Sequence, residues 1–374
     1  MPALPNRQLP ARLARRQWLG ALASVASLGP VGLGTLAGLH APAAQALPAR
    51  TLQFPRDHGA HPDMRTEWWY LTGHATSAGR VFGFQVTFFR SRVDSTQGMQ
   101  SAFAAKQLLF AHAAVTDVSG KKLWHDQRMV REGFEVGTAD TATTRLRIRD
   151  WTLARTATGY EARIETPDFG LDLRCTQTQP VLLQGRQGLS RKGPEPRQAS
   201  YYYSQPQLAT QGRLRLKGQT LDLQGTAWLD HEWSDELLHP EAVGWDWIGM
   251  NYTDGSALTA FRLRRRDGSA IWDGGSFRTG SGMQFPFSPG AVAFSPQRHW
   301  VSPRTRARYP VEWIVRTPAD FYTVRALVDD QELDSTGSTG AIYWEGLSDM
   351  ADSNGNPVAR GYLEMTGYAR PLRL

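Results

Sequence analysis

Arg213-Leu214-Arg215-Leu216-Lys217-Gly218-Gln219-Thr220-Leu221-Asp222-Leu223 decides the fold class of this chain. Leucines alternate with charged or polar residues on both sides of Lys217-Gly218-Gln219. A period of two puts every second side chain on one face of a strand. The glycine supplies the positive φ that a tight hairpin turn needs. The stretch predicts two antiparallel strands, Arg213–Lys217 and Thr220–Trp228, sharing one apolar face.

The same alternation recurs outward in both directions. It runs through Glu67–His74, Val81–Arg90, Leu108–Asp117, Arg145–Ala154, Tyr160–Thr166 and Leu171–Thr176, and again through Trp245–Tyr252, Ala257–Arg265, Val311–Arg316 and Gly361–Tyr368. Asp254-Gly255 and Asp267-Gly268 mark further turns. No long segment keeps a 3.6-residue apolar period, so the expectation is an all-β protein of many short antiparallel strands, in sandwiches or barrels. Gln184–Ser200 and Gly280–Pro303, rich in Gly and Pro, read as loops. Strand patterning restarts at Trp245, which places a domain boundary between Gly225 and Glu241.

The amino end carries a different signal. Residues 1–46 hold Arg7, Arg12, Arg15 and Arg16 and no acidic residue. Arg15-Arg16-Gln17-Trp18-Leu19 precedes a mild apolar run to Leu39, diluted by glycines and Pro30, and then Ala44-Gln45-Ala46. Basic, apolar and small segments in that order predict a cleaved twin-arginine signal peptide, export through the twin-arginine translocase, and a periplasmic or secreted protein. Cleavage would leave 328 of 374 residues and, with four arginines gone, lower the net charge from +7 to +3. So mild a charge gives nucleic acid little to bind. No later stretch is apolar enough to span a bilayer. Cys175 is the only cysteine, so no intramolecular disulfide forms; its alternating context predicts a buried core thiol.

Four segments gather aromatic and ionisable residues: Phe54–Pro62 with Glu67–Tyr70, Tyr201–Ser204, Trp228–Trp233 and Gly244–Ile248. Flat side chains beside a few carboxylates suit a pocket for an apolar or amphipathic ligand. The candidate ligand-binding residues are Glu67, Trp69, Gln85, Tyr202, Trp228, Trp245 and Trp247. Alternation puts Trp228, Asp230 and Glu232 on one face and Leu229, His231 and Trp233 on the other. Two carboxylates on one aromatic face raise each other's pKa, and one held protonated can act as a general acid. Asp230, Glu232 and His231 are therefore the catalytic candidates, the alternative being a buried ion-pair network. His58 and His61 lie in a proline-flanked loop, and no His-Glu-x-x-His occurs, so no metal is expected. No Gly-x-Gly-x-x-Gly, Walker loop or Gly-x-Ser-x-Gly elbow is present, so no cofactor and no serine hydrolase are expected.

Taken in order, these segments resemble the AttH-like and carotenoid 1,2-hydratase-like family, in the exported branch often labelled predicted secreted hydrolases. The resemblance rests on Phe54–Pro62, Glu67–Gly73, Gly83–Arg90, Ala111-His112-Ala113, Tyr202-Tyr203-Ser204, Trp228–Trp233, Gly244–Trp247, Tyr309–Trp313, Tyr343-Trp344-Glu345-Gly346 and Gly361–Tyr368. It implies two tandem lipocalin-like β-barrels, at 47–232 and 233–374, and an apolar ligand cavity near where they meet. It implies two functions: a carrier that binds an isoprenoid- or lipid-like ligand in a barrel cavity, or a lyase that adds water to a carbon–carbon double bond. The secreted-hydrolase label finds no hydrolytic constellation here.

Overall fold

The opening hairpin is part of a longer one. The computed structural model describes residues 46–236 and 238–372. In it Ala199–Leu216 pairs with Gln219–Glu236, eighteen residues each. Leu216 faces Gln219, so the turn itself is only Lys217 (φ 49°) and Gly218 (φ 79°). Two successive positive φ values make the hairpin turn whose twist matches its flanking strands.

This hairpin sits at the middle of a thirteen-stranded antiparallel sheet. Gln219–Glu236 pairs on its other side with Thr66–Ser77, followed by Arg80–Arg92, Gln107–Asp117 and Lys122–Arg131. Beyond Ala199–Leu216 come Phe169–Thr176, Gly159–Glu165, Trp151–Arg155, Arg145–Ile148 and Gly137–Ala139. Lys122–Arg131 and Arg145–Ile148, near opposite ends of this order, come against one another. The sheet is thus a nearly closed barrel. The chain leaves it after Glu236 and enters a second, ten-stranded antiparallel sheet at Gly244. The centre of that sheet is Ala257–Arg264, Gly244–Tyr252, Pro357–Thr366 and Ala341–Ala351. Helix is confined to two short 3-10 turns among the described residues.

The two stretches read as loops are not wholly irregular. Leu189–Arg191 lies within the first and pairs with Ala199–Leu216; Gln284–Pro286, Ala293–Pro296 and His299–Val301 lie within the second. Pro286 and Pro296 fall at strand ends, where a missing N–H costs no ladder bond. Cys175 is buried in the first core as expected, and burial pushes its thiol up to about 12.

Each sheet packs a core of its own on one face. Trp69, Trp151 and Trp233 anchor the first; Trp313, Trp344 and Tyr309 anchor the second. The opposite faces of the two sheets meet. There Tyr70 and Trp228 of the first sheet pack with Trp247, Phe261, Leu347 and Tyr362 of the second. Strands at this junction are buried on both faces, which is why Leu71 and Tyr70, adjacent in sequence, are both inside.

Candidate functional site

A cavity of about 270 Å³ lies at this junction. It is bounded by outward faces of both sheets, not by the interior of either. It lies near where the two sheets meet, the place the resemblance implied, and not within a single barrel, where tryptophan and tyrosine cores occupy the inner faces. Trp68, Tyr70, Phe89, Phe110 and Tyr202 line it from the first sheet, Trp245, Trp247, Phe261 and Tyr343 from the second. Into this aromatic wall the strands place four carboxylates, Asp230, Glu232, Glu345 and Glu364.

Strand register explains who arrives there. Tyr70 lies opposite Asp230 and Trp68 opposite Glu232 across the Thr66–Ser77 and Gln219–Glu236 pair. Tyr202 lies opposite Glu232 on the other side. Trp228, Asp230 and Glu232 share a face as alternation predicts. Trp69 lies opposite His231 and stacks on it, ring centroids 4.5 Å apart, in the first core. Trp69 and His231 therefore do not reach the cavity. The offset is one residue, and one residue turns a side chain to the other face of the sheet. Gln85, Tyr202, Trp245 and Trp247 do line the cavity, and Trp228 stands behind Asp230.

Of these four acids Asp230 is held by three side-chain donors. Its Oδ1 accepts from Ser204 and, at 2.7 Å, from Trp228 Nε1; its Oδ2 accepts from the Tyr202 hydroxyl at 2.8 Å. Trp247 Nε1 in turn donates to the Tyr202 oxygen at 3.3 Å. Burial outweighs these three donors and pushes the Asp230 carboxyl up to about 7. Glu232 is different. Lys192 Nζ lies 2.9 Å from its Oε1 and Ser200 also donates to it. The Lys192 ammonium also sits 4.2 Å from the Phe261 ring centre and 4.7 Å from that of Tyr202.

The second sheet contributes the acids that the sequence reading did not single out. Burial, then the neighbouring Glu364, holds Glu345 well above the ordinary carboxylate range. Burial pushes Glu364 up to about 7. Gln85 Nε2 donates to Glu345 Oε2 at 2.8 Å, and His112 Nδ1 lies 2.8 Å from the Tyr343 hydroxyl. Glu345 did carry a signal, a lone acid inside the apolar run Ile342-Tyr343-Trp344-Glu345-Gly346-Leu347, which must pair, protonate or serve a ligand. Lys192 had no such signal, because it sits in a stretch read as a loop.

Glu67 borders the cavity, but its carboxylate is committed to the opposite face. Its Oε1 takes His61 Nδ1 at 2.7 Å and His231 Nε2 at 2.8 Å, and its Oε2 takes Arg90 Nε at 2.8 Å. Burial works against it, but the hydrogen bonds and charges of His231 and His61 hold the Glu67 carboxyl well below the ordinary carboxylate range. His61 Nδ1, Glu67 Oε1 and His231 Nε2 lie within 4.8 Å of one another, the donor set of a metal site. Their contacts have hydrogen-bond lengths, and the Arg90 guanidinium already supplies the cationic charge. His58 lies apart, 2.8 Å from the Tyr203 hydroxyl.

An all-β protein with two antiparallel sheets sharing an acidic, aromatic cavity is the class this architecture defines. The chain belongs to the AttH-like family, whose sequence pattern matches residues 45–368. A crystal structure of a candidate AttH from Nitrosomonas europaea is 46% identical, covering 87% of this chain and 100% of that one with a TM-score of 0.81. Kievitone hydratase from Nectria haematococca shares the fold at 13% identity, covering 86% of this chain and 94% of its own, with a TM-score of 0.67. CghA in complex with Sch210972 does so at 13% identity, covering 82% and 88%, with a TM-score of 0.51. No curated protein matches.

Proposed function

We propose that this exported protein is built of two lipocalin-like barrels, encloses an apolar, isoprenoid- or lipid-like molecule between them, and adds water across one of its double bonds. The observation that carries this reading is Asp230: a carboxylic acid titrating near neutral pH on the wall of an aromatic cavity. Such a group can keep a proton at pH 7 and release it in a reaction. A relative of the same fold bears the name hydratase, which agrees in kind.

In the neutral acid, Oδ1 keeps its bonds from Ser204 and Trp228, so the proton belongs on Oδ2 against Tyr202. The Tyr202 hydroxyl is then free to turn into the cavity. It gives its proton to the alkene carbon while taking the proton of Asp230, and Trp247 Nε1 supports the phenol oxygen as charge develops. The resulting tertiary carbocation lies among ring faces, each worth about 0.5–2 kcal/mol to a cation. Water attacks the cation and forms the C–O bond. Its surplus proton returns through Tyr202 to the Asp230 carboxylate, and the sum is alkene plus water to alcohol. His231 has no part, since it faces the other side of the sheet.

A second reading, a carrier, draws support from the same residue: three side-chain donors already hold the Asp230 oxygens in place. Asp230→Asn separates the two. Isoprenoid alkenes are incubated with each protein and extracts are read by mass spectrometry. The lyase reading expects a product heavier by one water with the wild type and none with Asp230→Asn, at unchanged alkene affinity. If alkenes bind the wild type and emerge unaltered, the lyase reading falls and the carrier stands.

A further inference from the structure

Outside the cavity, large apolar side chains gather at one corner of the first sheet. Phe103 is 76% exposed and Phe134 55%, and Met99, Met129 and Val136 are exposed with them. They belong to the loop 97–106, the end of Lys122–Arg131 and the turn 132–136. The Phe103 and Phe134 rings stack, centroids 5.5 Å apart. The Arg131 guanidinium covers both, 4.1 Å from the Phe134 ring centre and 5.6 Å from that of Phe103, and its Nη1 donates to Ala102 O at 3.3 Å. Two phenylalanines held in order on the water side forgo the burial that would stabilise them, and such patches mark binding surfaces.

Positive charge surrounds the ring pair. Lys106, Arg131, Arg147 and Arg149 make no ion pair among the described residues. Arg147 Nη2 donates to Glu135 O and Arg149 N to Val136 O, which sets these two cations at the rim of the turn. Against the four stand Glu132 and Glu135, the only acids of 97–106 and 128–136. The nearby Asp94 and Asp150 are already taken by Arg92 and Arg128. The patch is also continuous with the cavity. Phe110 lines the cavity and pairs with Met129, and Leu108 pairs with Arg131. Directly opposed residues of antiparallel strands share a face. Met129 and Arg131 therefore extend the cavity-side face of Gln107–Asp117 outward to the phenylalanine pair.

We propose that this corner docks the protein on an anionic lipid bilayer. Phe103 and Phe134 enter the acyl boundary, and Lys106, Arg131, Arg147 and Arg149 meet the headgroup phosphates. A second copy fits the patch less well, because a two-fold interface would press these four cations against the same four of its partner. The docking stands on the patch alone. Its use as the door through which ligand passes from lipid to cavity rests on the apolar-ligand reading above.

Every strand of both sheets lies at or after Thr66, so the chain from Leu47 is used, which keeps the apolar run at 19–39 out of the assay. It is sedimented with vesicles of phosphatidylglycerol and phosphatidylcholine, and with vesicles of phosphatidylcholine alone. Binding should be at least about tenfold tighter to the first, and salt raised from about 0.05 to about 0.5 M should remove that difference. Phe103→Ser/Phe134→Ser and Lys106→Gln/Arg149→Gln should each weaken it about tenfold or more. Phe321→Ser, at an exposed phenylalanine of the second sheet, should change nothing. No binding to the anionic vesicles, equal binding to the two kinds, or binding that survives in Phe103→Ser/Phe134→Ser overturns the docking. A wild-type dimer lost in that variant, without vesicle binding, gives the patch to a second copy and overturns it too. With the isoprenoid alkene farnesene in the vesicles, protein released by salt is extracted and read by mass spectrometry. Protein that docks but takes up no farnesene, from vesicles or from solution, overturns the apolar-ligand reading and leaves the docking. Farnesene taken from vesicles equally fast by the wild type and by Phe103→Ser/Phe134→Ser overturns the door.

Discussion

Asp230 is the residue where stability and chemistry pull in opposite directions. Its carboxyl titrates near 3.8 in a free chain and near 7 when folded. Between those values the folded state holds the proton and the unfolded state has lost it. Stability therefore falls as pH rises from about 4 to about 7 and is flat above, with a full cost of about 4 kcal/mol. Asn keeps the shape and cannot ionise. Asp230→Asn should gain stability over the wild type at pH 8 by roughly that amount, and the gain should shrink toward zero at pH 4. Chemical denaturation at the two pH values checks it. A variant equally destabilised at both would mean that Asp230 is an ionised, structurally paired carboxylate. The same substitution, by the relay argument, should abolish hydration.

At the scale of elements, Glu67 fastens a loop to three strands. Its carboxylate joins His61 of the 53–65 segment, Arg90 of Arg80–Arg92 and His231 of Gln219–Glu236, from its own place on Thr66–Ser77. Asp57 extends the group, with His61 Nε2 at 3.0 Å and Arg50 at 3.1 Å. Removing Glu67 leaves the buried Arg90 guanidinium without its counter-charge, and breaking such a buried pair costs about 3–5 kcal/mol. Glu67→Ala should lower stability by that much in urea denaturation. Glu161→Ala, which breaks the exposed pair with Arg174, should cost less than about 1 kcal/mol. Similar losses for the two would show that the network is not what holds this corner together.

At the scale of the molecule, the cavity exists because two sheets press their outward faces together. Gly83 marks how closely: a Cβ there would meet the Tyr362 hydroxyl at 2.7 Å and Leu347 Cβ at 3.0 Å on the second sheet. Gly83→Leu should cost about 1–3 kcal/mol by overpacking and weaken ligand binding by parting the cavity walls. Gly98→Leu, where nothing lies within 4 Å, should change neither. Melting curves and probe binding read both effects; an unaffected Gly83→Leu protein would mean that the junction is looser than described. Export acts on the whole chain. The twin-arginine segment falls outside the described residues, so its test is cellular. Arg15→Lys with Arg16→Lys should leave the precursor in the cytoplasm, seen by fractionation and immunoblot. Normal processing of the double variant would refute the twin-arginine route.

The sequence alone determined what depends on neighbours along the chain. Period-two alternation at Leu214, Leu216, Leu221 and Leu223 made strands, Gly218 made their turn, and alternation through Trp228–Trp233 put Asp230 and Glu232 on one face. These follow from backbone geometry within a few residues. Register decided the rest, because it is set between strands distant in sequence. Trp69 and Tyr70 are equally aromatic, yet pairing with Gln219–Glu236 sent Tyr70 to the cavity and Trp69 to the core. Glu345 reaches Gln85 across 260 residues of chain, and Lys192 reaches Glu232 from a segment without periodicity. Only the packing of one sheet's outward face on the other's turned positions that alternation reserves for solvent into a buried, acidic site.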